Sequence, residues 1–190
     1  MSTKVQLSDI ETNPCRDDFP LLAAHPEMAF LDSAATSQRP ASVLDAQRTF
    51  YETMNANPLR GLYRLSIEAT DAIERTRAHV ARFIAAMDEG GHPQKDQIIF
   101  TRNTSESLNL VASSLGRTIL SPGDEVVISI MEHHSNLIPW QQVCAATGAR
   151  LVYLRLDDDF GISQDELKAK VGPRTKIVSL TQVSNVLGTQ

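Results

Sequence analysis

Apolar residues recur at helical spacing in two segments of the first half of the chain. The first segment predicts a helix from Pro40 to about Met54, and Pro40 suits a first helical turn because its missing N–H needs no partner there. The second segment predicts a helix from about Ser66 to Met87, where an apolar stripe runs beside charged residues. The Gly- and Pro-containing segment 89–93 then ends the helical pattern.

After this break, short apolar runs alternate with stretches of helical periodicity. The runs that predict strands are 97–101, 124–130, 150–154 and 176–180. The stretches that predict helices are about 104–115, 136–147 and 163–171. Such alternation indicates an α/β fold in which helices flank a mainly parallel sheet.

The beginning of the chain lacks this periodicity and contains Pro14, Pro20 and Pro26. We therefore predict a polar, irregular N-terminal arm at 1–28 and a folded body at 29–190. A chain of 190 residues is long enough to bury one sizeable core. One domain is the expected organisation of the body.

Composition and charge exclude several function classes. The net charge of −5 provides no basic field, so we expect no nucleic-acid partner. No apolar run approaches the roughly 20 residues that span a bilayer, and the first residues do not resemble a secretory signal, so we expect no membrane partner. Cys15 and Cys144 are far apart and outside any CxxC pattern, which argues against a disulfide framework or a metal site. A cytoplasmic location is expected.

Three loops follow predicted strands, and ligands gather at the carboxyl ends of parallel strands. In the first loop, Asn103, Thr104 and Ser105 offer hydroxyl and N–H groups where a helix begins, and the helix dipole favours an anion there. Judged alone, the loop favours the interpretation that Asn103 caps the helix, with Glu106 closing a capping box. The phosphate site and the cap are compatible with each other.

The second and third loops supply His133 and Asn185. His133 suits ring stacking or proton transfer, although the residues alone favour a surface or capping histidine. Its neighbour His134 does not make a zinc site, because no Cys or further His lies in this loop. Asn185 can hydrogen-bond a ligand, or it can serve the turn that Gly188 also favours. No Gly-rich nucleotide-binding motif is present.

Five blocks in collinear order, from about residue 28 to residue 190, resemble the group II cysteine desulfurases and selenocysteine lyases. The blocks are FLDSAAT (30–36), RG (60–61), TSESLNLV (104–111), MEHHSNLIPW (131–140) and VSNVLGT (183–189). These enzymes are class V aminotransferase-like proteins that depend on pyridoxal 5'-phosphate (PLP) and have the fold type I architecture. The resemblance implies that 29–190 forms the N-terminal part of the PLP-binding large domain.

The resemblance also implies roles for individual residues. Thr104 and Ser105 would hold the phosphate of PLP. His133 would stack on the pyridine ring and shuttle protons, and Asn185 would hydrogen-bond the phenolic oxygen of the ring. In addition, Ala34 and Ala35 would line the substrate entrance, and Arg60 would lie near the active site of a second protomer.

The activity implied by the resemblance is conversion of L-cysteine to L-alanine, with the sulfur left as an enzyme-bound persulfide for iron–sulfur cluster assembly or another sulfur delivery. L-Selenocysteine is an alternative substrate. Partners implied by the resemblance are a second copy of the chain, in a homodimer, and a sulfur-acceptor protein. Leu59, Tyr63 and Gln182 stand where the family often has histidines, so the substrate preference stays open.

The family's Schiff-base lysine and nucleophilic cysteine fall after the position that Gln190 occupies. We therefore expect these 190 residues to be an incomplete large domain that is inactive alone. Cys144 lies within a predicted helix, where a buried, inert thiol is expected. Two alternatives remain: another class V PLP enzyme, namely a lyase, epimerase or transaminase, and a non-catalytic fragment that binds a partner.

Overall fold

The computed structural model describes residues 14–190, which form two compact units that divide between Ile99 and Phe100. Within the predicted arm, residues 14–28 contain a 3-10 turn at Arg16–Asp18 and a short helix α1 at Pro20–Ala23. The Arg16 guanidinium donates to the carbonyl oxygens of His25 and Met28, at 2.9 and 2.8 Å. This part of the arm is therefore more regular than predicted, and residues 1–13 lie outside the described residues. The boundary at residue 28 stays a prediction.

Two longer helices complete the first unit. The predicted helix at 40–54 is confirmed as α2, Ala41–Thr53. The second helix, α3, spans Arg64–Phe83 and so ends four residues before the predicted Met87. It ends early because Ala85 adopts a left-handed conformation with φ 57°, which an α-helix cannot contain. Met87 instead forms an isolated antiparallel bridge with Pro93.

The prediction of a strand at 97–101 is wrong. Lys95–Gln97 forms a 3-10 turn, and the following residues to Phe100 are irregular. Ile98 is buried, as its apolar character predicts, but its carbonyl oxygen accepts from the Arg77 guanidinium at 2.8 Å. A side chain of α3 therefore occupies the backbone acceptor that a neighbouring strand would need.

The second unit begins with a long helical segment and contains a three-stranded sheet. Helix α4, Thr104–Val111, continues through a π-helical segment, Ala112–Gly116, into a last turn α5, Arg117–Ile119. The sheet elements that follow are β1 at Glu125–Ser129, α6 at Ile138–Thr147, β2 at Arg150–Leu154, α7 at Gln164–Lys170 and β3 at Thr175–Ser179. All of them agree with the predicted segments to within two residues.

The sheet is parallel, with strand order β2-β1-β3, so the predicted α/β architecture is confirmed. The central strand β1 is buried at every residue. Its Val126 and Ile128 share one apolar core with residues of α6, of the π-helical segment and of the turn after α5. The buried members of this core are Ala112, Leu120, Val126, Ile128, Trp140, Val143 and Cys144. Trp140 is the largest of them and is 2% exposed.

Gly116 permits the π-helical segment to approach α6 closely in this core. A Cβ atom at this position would lie 3.3 Å from a Val143 methyl group, inside ordinary contact distance. At the other end of α6, Gly148 takes φ 75° and ends the helix in the left-handed conformation that glycine adopts without strain. The two glycines thus let α6 pack closely on the π-helical segment and end it after Thr147.

Candidate functional site

The first predicted loop forms a capped helix N-terminus. The Asn103 side-chain oxygen accepts from the Glu106 N–H at 2.9 Å, which confirms the predicted cap. The Glu106 carboxylate accepts from the Arg102 N–H at 2.6 Å instead of the Asn103 N–H. The return bond of the predicted capping box is therefore displaced by one residue.

Thr104 and Ser105 lie at the first two positions of α4 and are exposed. Within residues 14–190, their N–H groups and their hydroxyls have no hydrogen-bond partner. Unpaired N–H groups at a helix start carry the positive end of the helix dipole. Two amides and two hydroxyls are thus available to an anion at this point.

His133 follows β1 and caps the 3-10 turn His134–Asn136. Its Nδ1 atom accepts from the Ser135 N–H at 3.1 Å and lies 2.6 Å from the Ser135 hydroxyl oxygen. An Nδ1 that accepts carries no proton, so the neutral ring has its proton on Nε2. The capping interpretation is correct, and it leaves Nε2 of an exposed ring available for another partner.

Asn185 lies in the loop after β3, and the hydrogen bonds that form the turn in this loop are made by its neighbours. The hydroxyl of buried Ser184 accepts from the N–H groups of Val186 and Leu187, at 3.3 and 3.1 Å. Gly188 takes φ 70° and donates its N–H to the Ser184 carbonyl at 2.9 Å. The Asn185 amide makes no hydrogen bond within the described residues and is exposed, so it is not used to build the turn.

The loops after β1 and β3 are joined to each other at two points. The Thr181 N–H donates to the Glu132 carboxylate at 3.0 Å, and the Thr189 hydroxyl lies 3.9 Å from the Met131 sulfur. Both ends of the loop that carries Asn185 are therefore tied to the two residues that precede His133. Helix α4 in turn contacts the His134–Asn136 turn. The loops that carry His133 and Asn185 thus meet at the carboxyl end of the sheet, and α4 packs against the turn that follows His133.

Sequence reasoning missed a polar network beneath this site. Asn136 is 8% exposed, and its amide oxygen accepts from Trp140 Nε1 at 2.8 Å and from the Ser179 hydroxyl at 2.6 Å. Its amide nitrogen donates to the Glu132 carboxylate at 2.7 Å. Glu132, Asn136 and Trp140 all belong to the block at 131–140, but the spacing of residues within that block does not reveal their partners on β3.

The other predicted site residues, Ala34, Ala35 and Arg60, lie in the first unit and are exposed. Ala35 closes a turn by donating its N–H to the Asp32 carbonyl at 3.2 Å. Arg60 precedes Gly61, whose N–H donates to the buried Ser66 hydroxyl at 3.0 Å. The structure thus fixes the backbone around Ala35 and Arg60 locally, and the role of all three residues stays a prediction.

Cys144 is 5% exposed, and burial raises the pKa of its thiol, which disfavours the reactive thiolate. The expectation of a buried thiol is confirmed. Among residues 14–190, no group of three or more His, Cys, Asp or Glu side chains is arranged to hold a metal ion. In the same part of the chain, no helix has the length and apolar character to cross a membrane.

Comparison with known proteins gives the family. The model of the family described as "Aminotransferase class-V" matches residues 29–190. The chain belongs to the class-V aminotransferase family. A probable cysteine desulfurase of Halalkalibacterium halodurans is 48% identical over 162 residues, covering 85% of this chain and 38% of that protein. The predicted resemblance is confirmed at the level of the family.

Solved structures of this family share the fold. The apo structure of a cysteine desulfurase from Thermococcus onnurineus NA1 matches with a TM-score of 0.80 and 36% identity, over 99% of this chain and 43% of that one. A C-DES mutant with glycine covalently linked to its PLP cofactor matches with a TM-score of 0.67, over 90% of this chain and 42% of that one; its 21% identity shows the fold alone. The class-V chain described here spans about two fifths of the length of such relatives.

Class-V aminotransferases and cysteine desulfurases depend on PLP. The residues at the carboxyl end of the sheet fit this group chemically. A phosphate dianion suits the two amides and two hydroxyls of Thr104 and Ser105, an aromatic ring suits the exposed imidazole of His133, and a phenolic oxygen suits the Asn185 amide. The donor set of the chain therefore matches the cofactor of the family.

Proposed function

We propose that this chain carries part of the active site of a PLP-dependent cysteine desulfurase. The reaction converts L-cysteine and an enzyme thiol into L-alanine and an enzyme persulfide. The similarity to the probable cysteine desulfurase of Halalkalibacterium halodurans, over 85% of this chain, is the observation that carries the proposal. The anion-suited start of α4, a helix that contacts the His134–Asn136 turn, supports it independently.

Thr104 and Ser105 bind the phosphate in this proposal. Their N–H groups and hydroxyls have no partner within residues 14–190, so they give up no hydrogen bond to another part of this segment when an anion replaces water. The Asn103 cap holds the first turn of α4 in place by accepting from Glu106. The helix end is therefore formed before the phosphate binds, which reduces the ordering cost of binding.

His133 stacks on the cofactor ring and moves protons at Nε2. When bound, PLP withdraws electrons from the substrate and makes its Cα–H acidic. Ser135 holds Nδ1 of His133 at 3.1 Å and so fixes which nitrogen faces the ligand. The Asn185 amide donates to the phenolic oxygen, and its loop is held by Ser184 and not by Asn185 itself.

The substrate is L-cysteine or L-selenocysteine, and the sulfur passes to an acceptor protein. Ala34 and Ala35 line the entrance for the substrate in this proposal, with no side chain long enough to obstruct it. Arg60 lies near the site of a second protomer in a homodimer. Its neighbours Leu59 and Tyr63 stand where the family often has histidines, and Leu59 has no group that can transfer a proton.

The test is to express the protein from its complete gene and to measure L-alanine and sulfide formed from L-cysteine in the presence of PLP and a thiol reductant. We expect equal amounts of alanine and sulfide. A general acid–base group contributes about 10²- to 10⁴-fold to a rate, so His133→Gln should lower kcat by at least about 100-fold. Alanine formation no faster than with PLP alone would exclude the proposed reaction.

His79→Gln is the matched control. His79 is an exposed histidine of α3 in the first unit, so the same chemical change there should leave kcat and KM unaltered. A parallel assay with L-selenocysteine, read as alanine and selenide, measures the substrate preference. Equal losses in the His133 and His79 variants would remove His133 from the proposed reaction.

A further inference from the structure

The direction of the hydrogen bonds beneath the candidate site is set by one donor. The indole N–H of Trp140 can only donate, and it is buried. It points to the Asn136 amide oxygen at 2.8 Å, so that oxygen must face Trp140. The Asn136 amide nitrogen consequently faces Glu132, at 2.7 Å, and requires an acceptor there.

Glu132 supplies this acceptor and accepts from other donors as well. One carboxylate oxygen accepts from the Asn136 amide, and the other accepts from the Ser129 hydroxyl at 2.6 Å and from the Thr181 N–H at 3.0 Å. Ser129 ends β1, and Thr181 lies two residues after β3. Three donors from both sides of the site thus converge on a single carboxylate.

We propose that Glu132 and Asn136 are positioning residues, which hold the His133 loop and the Asn185 loop at a fixed separation for the cofactor. Glu132 is adjacent to His133 in the chain and bonds to the backbone of the segment that leads to Asn185. Asn136 adds a second tie to that segment, because it accepts from the Ser179 hydroxyl and donates to the Ser179 carbonyl at 2.6 and 3.2 Å. The proposal rests on the proposed function, which supplies the ligand that needs this separation.

A donor–acceptor swap tests the proposal. Glu132→Gln places an amide nitrogen opposite the Asn136 nitrogen, and Asn136→Asp places a carboxylate opposite the Glu132 carboxylate. The Glu132→Gln/Asn136→Asp double variant restores a donor facing an acceptor, and the carboxylate introduced at position 136 can still accept from Trp140. It loses the bond to the Ser179 carbonyl, where two acceptor oxygens then face each other, so we expect the double variant to recover much but not all of the loss.

The readouts are the dissociation constant of PLP and the visible circular dichroism of bound PLP, in protein expressed from its complete gene. Each single variant leaves a buried polar group without its partner, so it should weaken PLP binding by about tenfold. The weakening follows from a smaller population of the binding-competent loop arrangement. We expect the double variant to bind within about threefold of the wild type, with its circular dichroism restored.

The matched control is Glu52→Gln, an exposed glutamate on α2, which should bind PLP as the wild type does. If the single variants do not fold, Ser179→Ala removes only the hydroxyl donor to Asn136 and should weaken binding about two- to threefold. Single variants with wild-type affinity, or a double variant whose loss equals the sum of the two single losses, would overturn the positioning role.

Hydrogen exchange at the Thr181 amide separates this proposal from the proposed function, because it needs no cofactor. The amide should be protected in the wild type, exchange faster in Glu132→Gln and recover protection in the double variant. If the wild-type protein binds no PLP while this pattern holds, the proposed function fails and the tie between the loops stands. Unchanged exchange in Glu132→Gln would refute the tie itself.

Discussion

Replacing Asn136 by alanine should destabilise the second unit strongly, because this side chain takes part in four hydrogen bonds below the surface. Its loss leaves the indole N–H of Trp140, a residue that is 2% exposed, without an acceptor. A buried donor without an acceptor costs about 1–3 kcal/mol, and each of the other hydrogen bonds that the substitution removes contributes about 0.5–1.5 kcal/mol. Bonds that share one residue do not add, so we expect a total of about 3 kcal/mol. Domains have only about 5–15 kcal/mol of stability, which makes this loss large.

Denaturant unfolding of the purified protein measures this loss, and a double-mutant cycle assigns its cause. Trp140→Phe removes the indole donor, so Asn136→Ala should cost about 1–2 kcal/mol less in that background. The control is Asn109→Ala, whose exposed side chain donates only to the Ser105 carbonyl at 2.8 Å and should change stability by about 0.5 kcal/mol or less. An equal cost of Asn136→Ala in both backgrounds would show that the Trp140 N–H does not depend on Asn136 for its acceptor.

Three further predictions concern other parts of the chain. Gly61→Ala places a Cβ 2.5 Å from the Ser66 hydroxyl oxygen. This clash should lower the free energy of unfolding by about 1–3 kcal/mol in the same assay, and an unchanged unfolding midpoint would exclude it. The hydrogen bond from Lys95 holds the pKa of Glu74 below its usual value. The stability that ionised Glu74 contributes is therefore present above its unfolded-state pKa and is lost as pH falls through its folded-state pKa. Lys95→Gln should raise the Glu74 pKa in an NMR titration, and an unchanged pKa would contradict this prediction. Burial raises the pKa of the Cys144 thiol, so iodoacetamide should label this residue only when the protein unfolds. Mass spectrometry measures the labelling, and rapid labelling of Cys144 in the folded protein would show an accessible thiolate.

Much of the fold follows from local patterns in the sequence. The strands at 125–129 and 150–154 lie inside apolar runs, and α2 begins directly after Pro40. The failed strand at 97–101 shows the limit of such patterns. Ile98 has the apolar character of a strand residue, but the partner of its carbonyl, Arg77, lies 21 positions away in the sequence. Pairings of that kind are set by tertiary contacts and leave no periodic signal.

In the candidate site, too, the sequence predicts the local contacts and not the long-range ones. The Asn103 cap could be predicted because its partner, Glu106, is three residues away. The tie between Glu132 and Thr181 could not, since the two residues are 49 positions apart and meet only because β1 and β3 are neighbours. Within the loop after β3, residue type alone does not show that Ser184, and not Asn185, builds the turn.

A crystal structure of the protein, expressed from its complete gene and crystallised with PLP, would show whether Thr104, Ser105, His133 and Asn185 hold the cofactor. We expect the phosphate to accept from the N–H groups of Thr104 and Ser105, the ring to lie against His133, and the phenolic oxygen to accept from Asn185. A phosphate bound away from the start of α4, with Thr104 and Ser105 facing solvent, would exclude this cofactor site.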